Sequence, residues 1–158
     1  MNFDQAFDIL LKHEGGFVDH KDDPGGATRF GVTEAVAREV GYRGDMRDLP
    51  LDLAKRIYRE RYWDAVRAEQ LPAQVRYVVF DAAVNSGVGQ AARWLQRAVG
   101  VRDDGVIGPW TLAAVAQYSP ETVTRRFLSQ RLRFMSGLAN WPAFGRGWAR
   151  RIADLLEA

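Results

Sequence analysis

The sequence contains no cysteine and only two histidines. The lack of cysteine excludes disulfides and thiolate chemistry, and two histidines do not favour a rich metal site. No apolar run approaches the roughly 20 residues that a membrane-spanning helix needs. The first sixteen residues lack a basic stretch, a purely apolar stretch and a small-residue cleavage site, so we expect no secretory signal and synthesis in the cytoplasm.

Acidic residues are missing from one long stretch, since none lies between Glu121 and Asp154, although the net charge of the chain is only +2. The same stretch holds seven arginines: Arg125, Arg126, Arg131, Arg133, Arg146, Arg150 and Arg151. Such a segment indicates a polyanion nearby, or else a solvated helix face. No helix-turn-helix, zinc or RNA-binding signature accompanies the arginines, so we do not expect nucleic acid as a partner.

The hydrophobic pattern predicts a mainly α fold. The 158 residues are 47% hydrophobic, which suits one compact domain or two very small units. Periodicity predicts about seven or eight helices, with one small β-hairpin or loop region near residues 17–33. In the first helix the apolar positions at 3, 7, 10 and 11 form one face, and Gly15 and Gly16 end the helix. Thr33 is the expected N-cap of the next helix.

Three later segments also give helix predictions. The segment "PAQVRYVVFDAAVNSG" is expected to be a buried helix that ends at Ser86–Gly87. A longer helix is expected to open at Ser119–Pro120 and to turn Phe134 and Leu138 inward. "WPAFGRG" is expected to break the chain before a last helix, "WARRIADLLEA".

Several acidic residues lie at the end of the first helix and in the segment that follows it. A glycosidase needs a carboxylic acid held protonated near the scissile bond, and a carboxylate or positioned water on the other side of the sugar. Glu14 is the candidate acid, because it lies at the edge of the apolar face and partial burial raises a carboxyl pKa. Asp23 is the candidate second carboxylate, ahead of Asp22 and Asp19. Thr28 is the candidate to hold a nucleophilic water.

Two other interpretations of these acids remain open. A Glu near a helix end is commonly a solvated side chain, and an Asp before Pro-Gly-Gly is commonly a turn former. A metal site could be built from His13, Glu14, His20 and the aspartates, but the HExxH-type spacing is absent. The neighbours His13 and Glu14 would also point in different directions on a helix. We therefore expect no metal and no cofactor.

The same residues carry a resemblance to a known family. "EGGFVDHKDDPGGATRFGVT", with "RYW" at 61–63 and "FDAAVNSG" at 80–87, resembles the glycoside hydrolase family 108 muramidases. "LQRAVGVRDDGVIGPWTL" resembles the small peptidoglycan-binding region that follows their catalytic part. The resemblance implies an α+β lysozyme-like fold. It implies a catalytic region over residues 1–88 and a peptidoglycan-binding-like helical region over 89–158, packed as one compact unit.

The resemblance also implies the reaction, cleavage of the β-1,4 bond between N-acetylmuramic acid and N-acetylglucosamine, with Glu14 as the essential acid. The order Glu, Asp, Thr is similar to that of the phage-type lysozymes. Eight residues lie between Glu14 and Asp23, as in those enzymes, but four lie between Asp23 and Thr28, which is one fewer. Thr33 is an alternative to Thr28, although capping a helix is its more natural role.

Four further residues are candidates for substrate binding: Tyr62, Trp63, Asn85 and Trp110. The aromatic pair at 62–63 is expected either to stack on sugar faces or to belong to the core. Asn85 is expected either to bind an N-acetyl group or to cap its helix. Trp110 is expected either to touch glycan or peptide, or to pack.

These features favour an endolysin-type muramidase. It would act as a monomer and degrade the bacterial cell wall. It would be made in the cytoplasm and would act in the periplasm or cell wall after release by a holin. The Arg-rich C-terminus would contact the anionic outer membrane. The alternatives are a host muramidase serving holin-dependent secretion and a non-catalytic peptidoglycan-binding module.

Overall fold

The computed structural model describes residues 1–14, 16–17 and 26–157, with Glu14 described by its backbone alone. Over these ranges eight α-helices accompany one two-stranded antiparallel sheet, so the expected mainly α class with a single small hairpin is confirmed. Backbone contacts divide the chain into two compact units, Asn2–Arg61 and Tyr62–Ala158, with Met1 belonging to the second. The domain boundary near residue 88 stays a prediction.

The helices and strands of the first unit are α1 (Phe3–Glu14), β1 (Thr28–Arg29), β2 (Val32–Thr33), α2 (Glu34–Glu39) and α3 (Leu51–Tyr58), with a 3-10 turn at Met46–Asp48. A π-helical turn, Arg59–Trp63, and a 3-10 turn, Ala68–Gln70, follow. The second unit then contains α4 (Ala73–Ser86), α5 (Val88–Val99), α6 (Pro109–Val115), α7 (Pro120–Ser136) and α8 (Trp141–Glu157). None of the described helices is long and apolar enough to cross a membrane.

Helix α1 is stabilised by hydrogen bonds at its N-terminus and by the burial of one apolar face. The Asn2 side chain accepts a hydrogen bond from the Gln5 backbone N–H at 2.9 Å, and the Gln5 side chain accepts one from the Asn2 N–H at 3.0 Å. This reciprocal pair satisfies two N–H groups at the helix start. Phe3, Phe7 and Leu10 are buried on the inward face. Burying side chains of this size contributes about 1.5–3 kcal/mol each, so packing against this face holds the helix in place.

The hairpin between β1 and β2 turns through two residues with positive φ, Phe30 at 52° and Gly31 at 75°. Two such residues match the tight turn whose twist suits antiparallel strands. A positive φ is uncommon for a phenylalanine, but the Tyr58 hydroxyl donates a hydrogen bond to the Phe30 carbonyl at 2.8 Å. The buried Tyr58 therefore fastens the tip of the hairpin to α3.

Helix α4 is the centre of the second unit, where it packs against α5 and α7. Residues 77–83 of α4 are all buried, as expected for a helix covered on every side. The helix ends at Ser86, and Gly87 follows with a φ of 91°. Both the buried helix and its end are as the sequence predicted.

The start of α8 was predicted wrongly. The helix begins at Trp141 and runs through "WPAFGRG" without a break. Pro142 causes no interruption, because the first turn of a helix has no use for its missing N–H. Gly145 is needed for packing, since a Cβ there would lie 2.5 Å from Cε2 of Trp141. The glycine leaves room for the indole and does not end the helix.

Two inward positions expected on α7 also differ. Phe134 is 42% exposed, with its ring edge-on to Trp94 at a centroid distance of 5.4 Å. Leu138 lies beyond the helix, which ends at Ser136, and is half-buried. The helical period had placed both residues with Val123 and Phe127, which are buried. The prediction extended the inward face too far towards the C-terminus.

Candidate functional site

The candidate acid, Glu14, is the last residue of α1. Asp19, Asp22, Asp23 and His20 lie outside the described residues, so their predicted roles stay predictions. His13 is exposed in the last turn of α1. Within the described ranges, no three His, Asp or Glu side chains cluster as metal ligands would.

Thr28 lies on β1, where it pairs with Thr33 across the hairpin. The position of this strand is fixed twice, by the bond from Tyr58 and by the Glu34 N–H, which donates to the Ala27 carbonyl at 3.0 Å. The Thr33 hydroxyl accepts a hydrogen bond from the Val36 N–H at 3.2 Å and is the N-cap of α2. The capping role predicted for Thr33 is confirmed.

The two aromatic residues of the π-helical turn differ in their surroundings. Trp63 is fully buried, and its indole N–H donates to Oε1 of Glu69 at 3.0 Å. Its ring meets Phe80 edge-on at 5.3 Å. Of the two roles expected for Trp63, the structure shows the core role, because a buried ring offers no face to a sugar. Tyr62 is half-buried.

Asn85 lies at the end of α4 and lines a pocket of about 310 Å³. Its side-chain amide donates to the Asp81 carbonyl at 2.9 Å, which leaves its oxygen as an acceptor. Ser86, Trp148 and Arg151 line the same pocket. Apolar rings beside a few convergent polar groups are typical of small-molecule sites. Asn85 thus bonds to its own helix and also faces a cavity.

Asp81 holds two arginines that line this pocket, Arg131 and Arg151, and the sequence did not indicate this role. Its side chain is fully buried, and its carboxylate accepts a hydrogen bond from Arg131 at 2.6 Å. Arg151 also donates to it, through Nε at 3.1 Å and through its terminal nitrogen. Two of the seven arginines assigned to a cationic face are therefore paired internally. The available signal was a single acid inside the apolar run "YVVFDAAV".

Trp110 is the second residue of α6 and is 87% exposed, so the structure does not show the packing role considered for it. The loop before it is organised by Gln96, which is buried and donates to Asp104, the Val106 carbonyl and Thr111. The Val106 N–H and the Gln96 amide both hydrogen-bond to the Asp104 carboxylate and hold its pKa below the usual range. This network presents Trp110 on an ordered support.

Comparisons with known proteins give the class of the protein. The family model described as glycosyl hydrolase 108 matches residues 7–87, and that of a predicted peptidoglycan domain matches residues 90–153. The solved structure of Brucella abortus SagA is 38% identical to this chain, with a TM-score of 0.88, over 98% of this chain and 91% of that one. No curated protein matches the chain.

A mainly α, lysozyme-like fold and a matched peptidoglycan domain together define a glycoside hydrolase that acts on peptidoglycan. More particularly, the chain belongs to the glycosyl hydrolase 108 family. Glu14, Thr28, Tyr62 and Asn85 lie in the first matched segment, and Trp110 lies in the second. Peptidoglycan is accordingly the partner of this protein.

Proposed function

We propose that the protein is an N-acetylmuramidase, which hydrolyses the β-1,4 bond between N-acetylmuramic acid and N-acetylglucosamine with Glu14 as general acid. The observation that carries this proposal is the register of Glu14 on α1. It follows Leu10 by one helical turn and Phe7 by two, and both of these residues are buried. A carboxyl at the border of an apolar face is how glycosidases keep an acid protonated.

The supporting roles follow from the same chemistry. Asp23 is proposed as the carboxylate on the other side of the sugar, and Thr28 as the group that holds a water. The fixed hairpin supports the proposal for Thr28. A side chain can hold a water in a defined position only when its own backbone is held in place. Asn85, Tyr62 and Trp110 are the proposed substrate contacts, since Asn85 lines a pocket, Trp110 is exposed and Tyr62 is only half-buried.

The test compares E14Q with the parent protein on purified peptidoglycan, with products identified by mass spectrometry. The parent should release products with N-acetylmuramic acid at the new reducing end. E14Q should be slower by about 10²–10⁴-fold, which is the usual contribution of a general acid. E60Q is the matched control, because Glu60 is exposed on the π-helical turn, and it should keep the parent rate.

Three results would contradict the assignment. Equal rates for E14Q and the parent would remove Glu14 from its role. If N-acetylglucosamine stands at the new reducing end, the enzyme is a glucosaminidase and not a muramidase. Binding to peptidoglycan without any cleavage by the parent would favour the non-catalytic module.

We also propose that the enzyme serves lysis or secretion through a holin, and that α8 contacts an anionic membrane. Helix α8 supports the second idea, because Arg146, Arg150 and Phe144 are exposed on it. R146Q/R150Q should bind anionic vesicles more weakly than the parent, while R43Q/R56Q, which removes two exposed arginines elsewhere, should not. Cells that express the protein should lyse only when a holin is co-expressed; lysis without a holin would contradict the release route.

A further inference from the structure

A groove of about 490 Å³ runs along the exposed side of α7, bordered by the end of α5. Four arginines line it: Arg97, Arg125, Arg126 and Arg133. On α7, Arg125 and Arg126 are neighbours and Arg133 follows them by about two helical turns, so the three side chains share one side of that helix. Arg131 belongs to the same helix but points inward to Asp81, so the groove arginines are a separate set.

The groove carries excess positive charge. Arg97 is paired with Asp103 at 2.8 Å. In the part of the chain that the structure describes, no carboxylate pairs with Arg125, Arg126 or Arg133. Guanidinium groups remain charged at every physiological pH. Their mutual repulsion in one groove is relieved when an anion binds there.

One of the arginines is already held in place. The Arg126 guanidinium lies 4.9 Å from the centroid of the Tyr118 ring and donates to the Ala98 carbonyl at 3.4 Å. These contacts reduce the entropy that ligand binding must overcome. They also satisfy a carbonyl at the end of α5, which would otherwise repel an anion. Ser129 and Gln130 add neutral hydrogen-bonding groups to the same wall.

We propose that this groove binds the acidic peptide part of peptidoglycan through its carboxylates, an inference that rests on the proposed function in taking peptidoglycan as the substrate. The planar fork of arginine matches a carboxylate with two parallel hydrogen bonds. The matched peptidoglycan domain, residues 90–153, contains all four arginines. The groove therefore recognises the peptide stems, while hydrolysis takes place on the glycan.

The test uses the free stem peptide, alanyl-glutamyl-diaminopimelyl-alanine, as a probe without sugar, and measures its binding by titration calorimetry. The parent should bind the peptide, and binding should weaken with salt. R125Q/R133Q should bind at least about tenfold more weakly, because each change removes a charge-assisted hydrogen bond. R43Q/R56Q is the matched control, since it removes the same charge at exposed positions outside the groove.

Each further outcome decides the proposal. Absence of peptide binding by the parent, or equal weakening by both double variants, overturns it. Groove-dependent binding of phosphatidylglycerol vesicles in place of the peptide assigns the groove to lipid and also overturns it. Both arginines are exposed, so thermal melts should show a folded variant; if one melts early, the single variants replace the pair.

Hydrolysis is measured separately, on glycan strands from which an amidase has removed the peptides. If reducing ends are released from these strands but the peptide does not bind, the groove proposal is refuted and the proposed hydrolysis stands. If the peptide binds but no reducing ends are released, the proposed muramidase activity is refuted and the groove proposal stands.

Discussion

Replacement of Asp81 by Asn should be the most destabilising conservative change in the second unit. The substitution keeps the size of the side chain and one acceptor oxygen, but it removes the charge shared by Arg131 and Arg151. It also places an amide N–H₂ beside two guanidinium groups that offer only donors. Arg131 is 3% exposed and cannot turn to water, so its charge is left buried and unpaired.

The magnitude follows from the burial of both partners. Breaking a buried ion pair by removing one member costs about 3–5 kcal/mol, against a median of about 0–1 kcal/mol for an exposed pair. Arg151 is about one-fifth exposed, so it recovers part of its hydration and the loss on its side is smaller. For a chain of this length, 3–5 kcal/mol corresponds to a fall of about 6–20 °C in Tm.

Urea unfolding followed by circular dichroism measures this loss for D81N. D154N is the control, because Asp154 is exposed on α8 and its replacement should change stability by less than about 0.5 kcal/mol. The apolar double variant D81L/R131M should regain much of the stability, since removal of both buried charges also removes their desolvation cost. A loss below about 1 kcal/mol for D81N would refute the reasoning.

Three further predictions concern single side chains. G145A should destabilise by about 1–3 kcal/mol, because its methyl group meets Trp141, whereas G147A meets nothing within 4 Å and should stabilise by about 0.5–1 kcal/mol in the same urea titration. T33A should cost about 0.5–2 kcal/mol through loss of the α2 cap, and T33S should restore it; equal stability of T33A and the parent would contradict the cap. The lowered pKa of Asp104 gives stability that is present above the ordinary carboxyl pKa of about 3.9 and is lost as pH falls through the lower folded value. D104N should therefore flatten the dependence of stability on pH between about 2 and 5, and an unchanged slope would contradict the assignment.

Local signals in the sequence predicted the elements whose causes are local. The period of α1, the capping by Thr33 and the stop at Gly87 each depend on a few neighbouring residues, and all three are found in the structure. The start of α8 was missed because Gly145 reads as a breaker, while its reason is the indole four residues earlier.

The site was less predictable because its support is long-range. Asp81 meets arginines 50 and 70 residues further along the chain, and no spacing rule connects them. Burial has the same origin. Trp63 and Trp110 look alike as aromatic residues near turns, but Trp63 is fully buried with its ring against Phe80, and Trp110 is exposed.

The Asp81 ion cluster also sets a limit on recombination between relatives. Its acid lies in the segment matched by the hydrolase family and its arginines lie in the segment matched by the peptidoglycan domain. A chimera that takes these segments from two different parents inherits a carboxylate from one and its counterions from the other. Such an exchange keeps its stability only when both parents share this pairing.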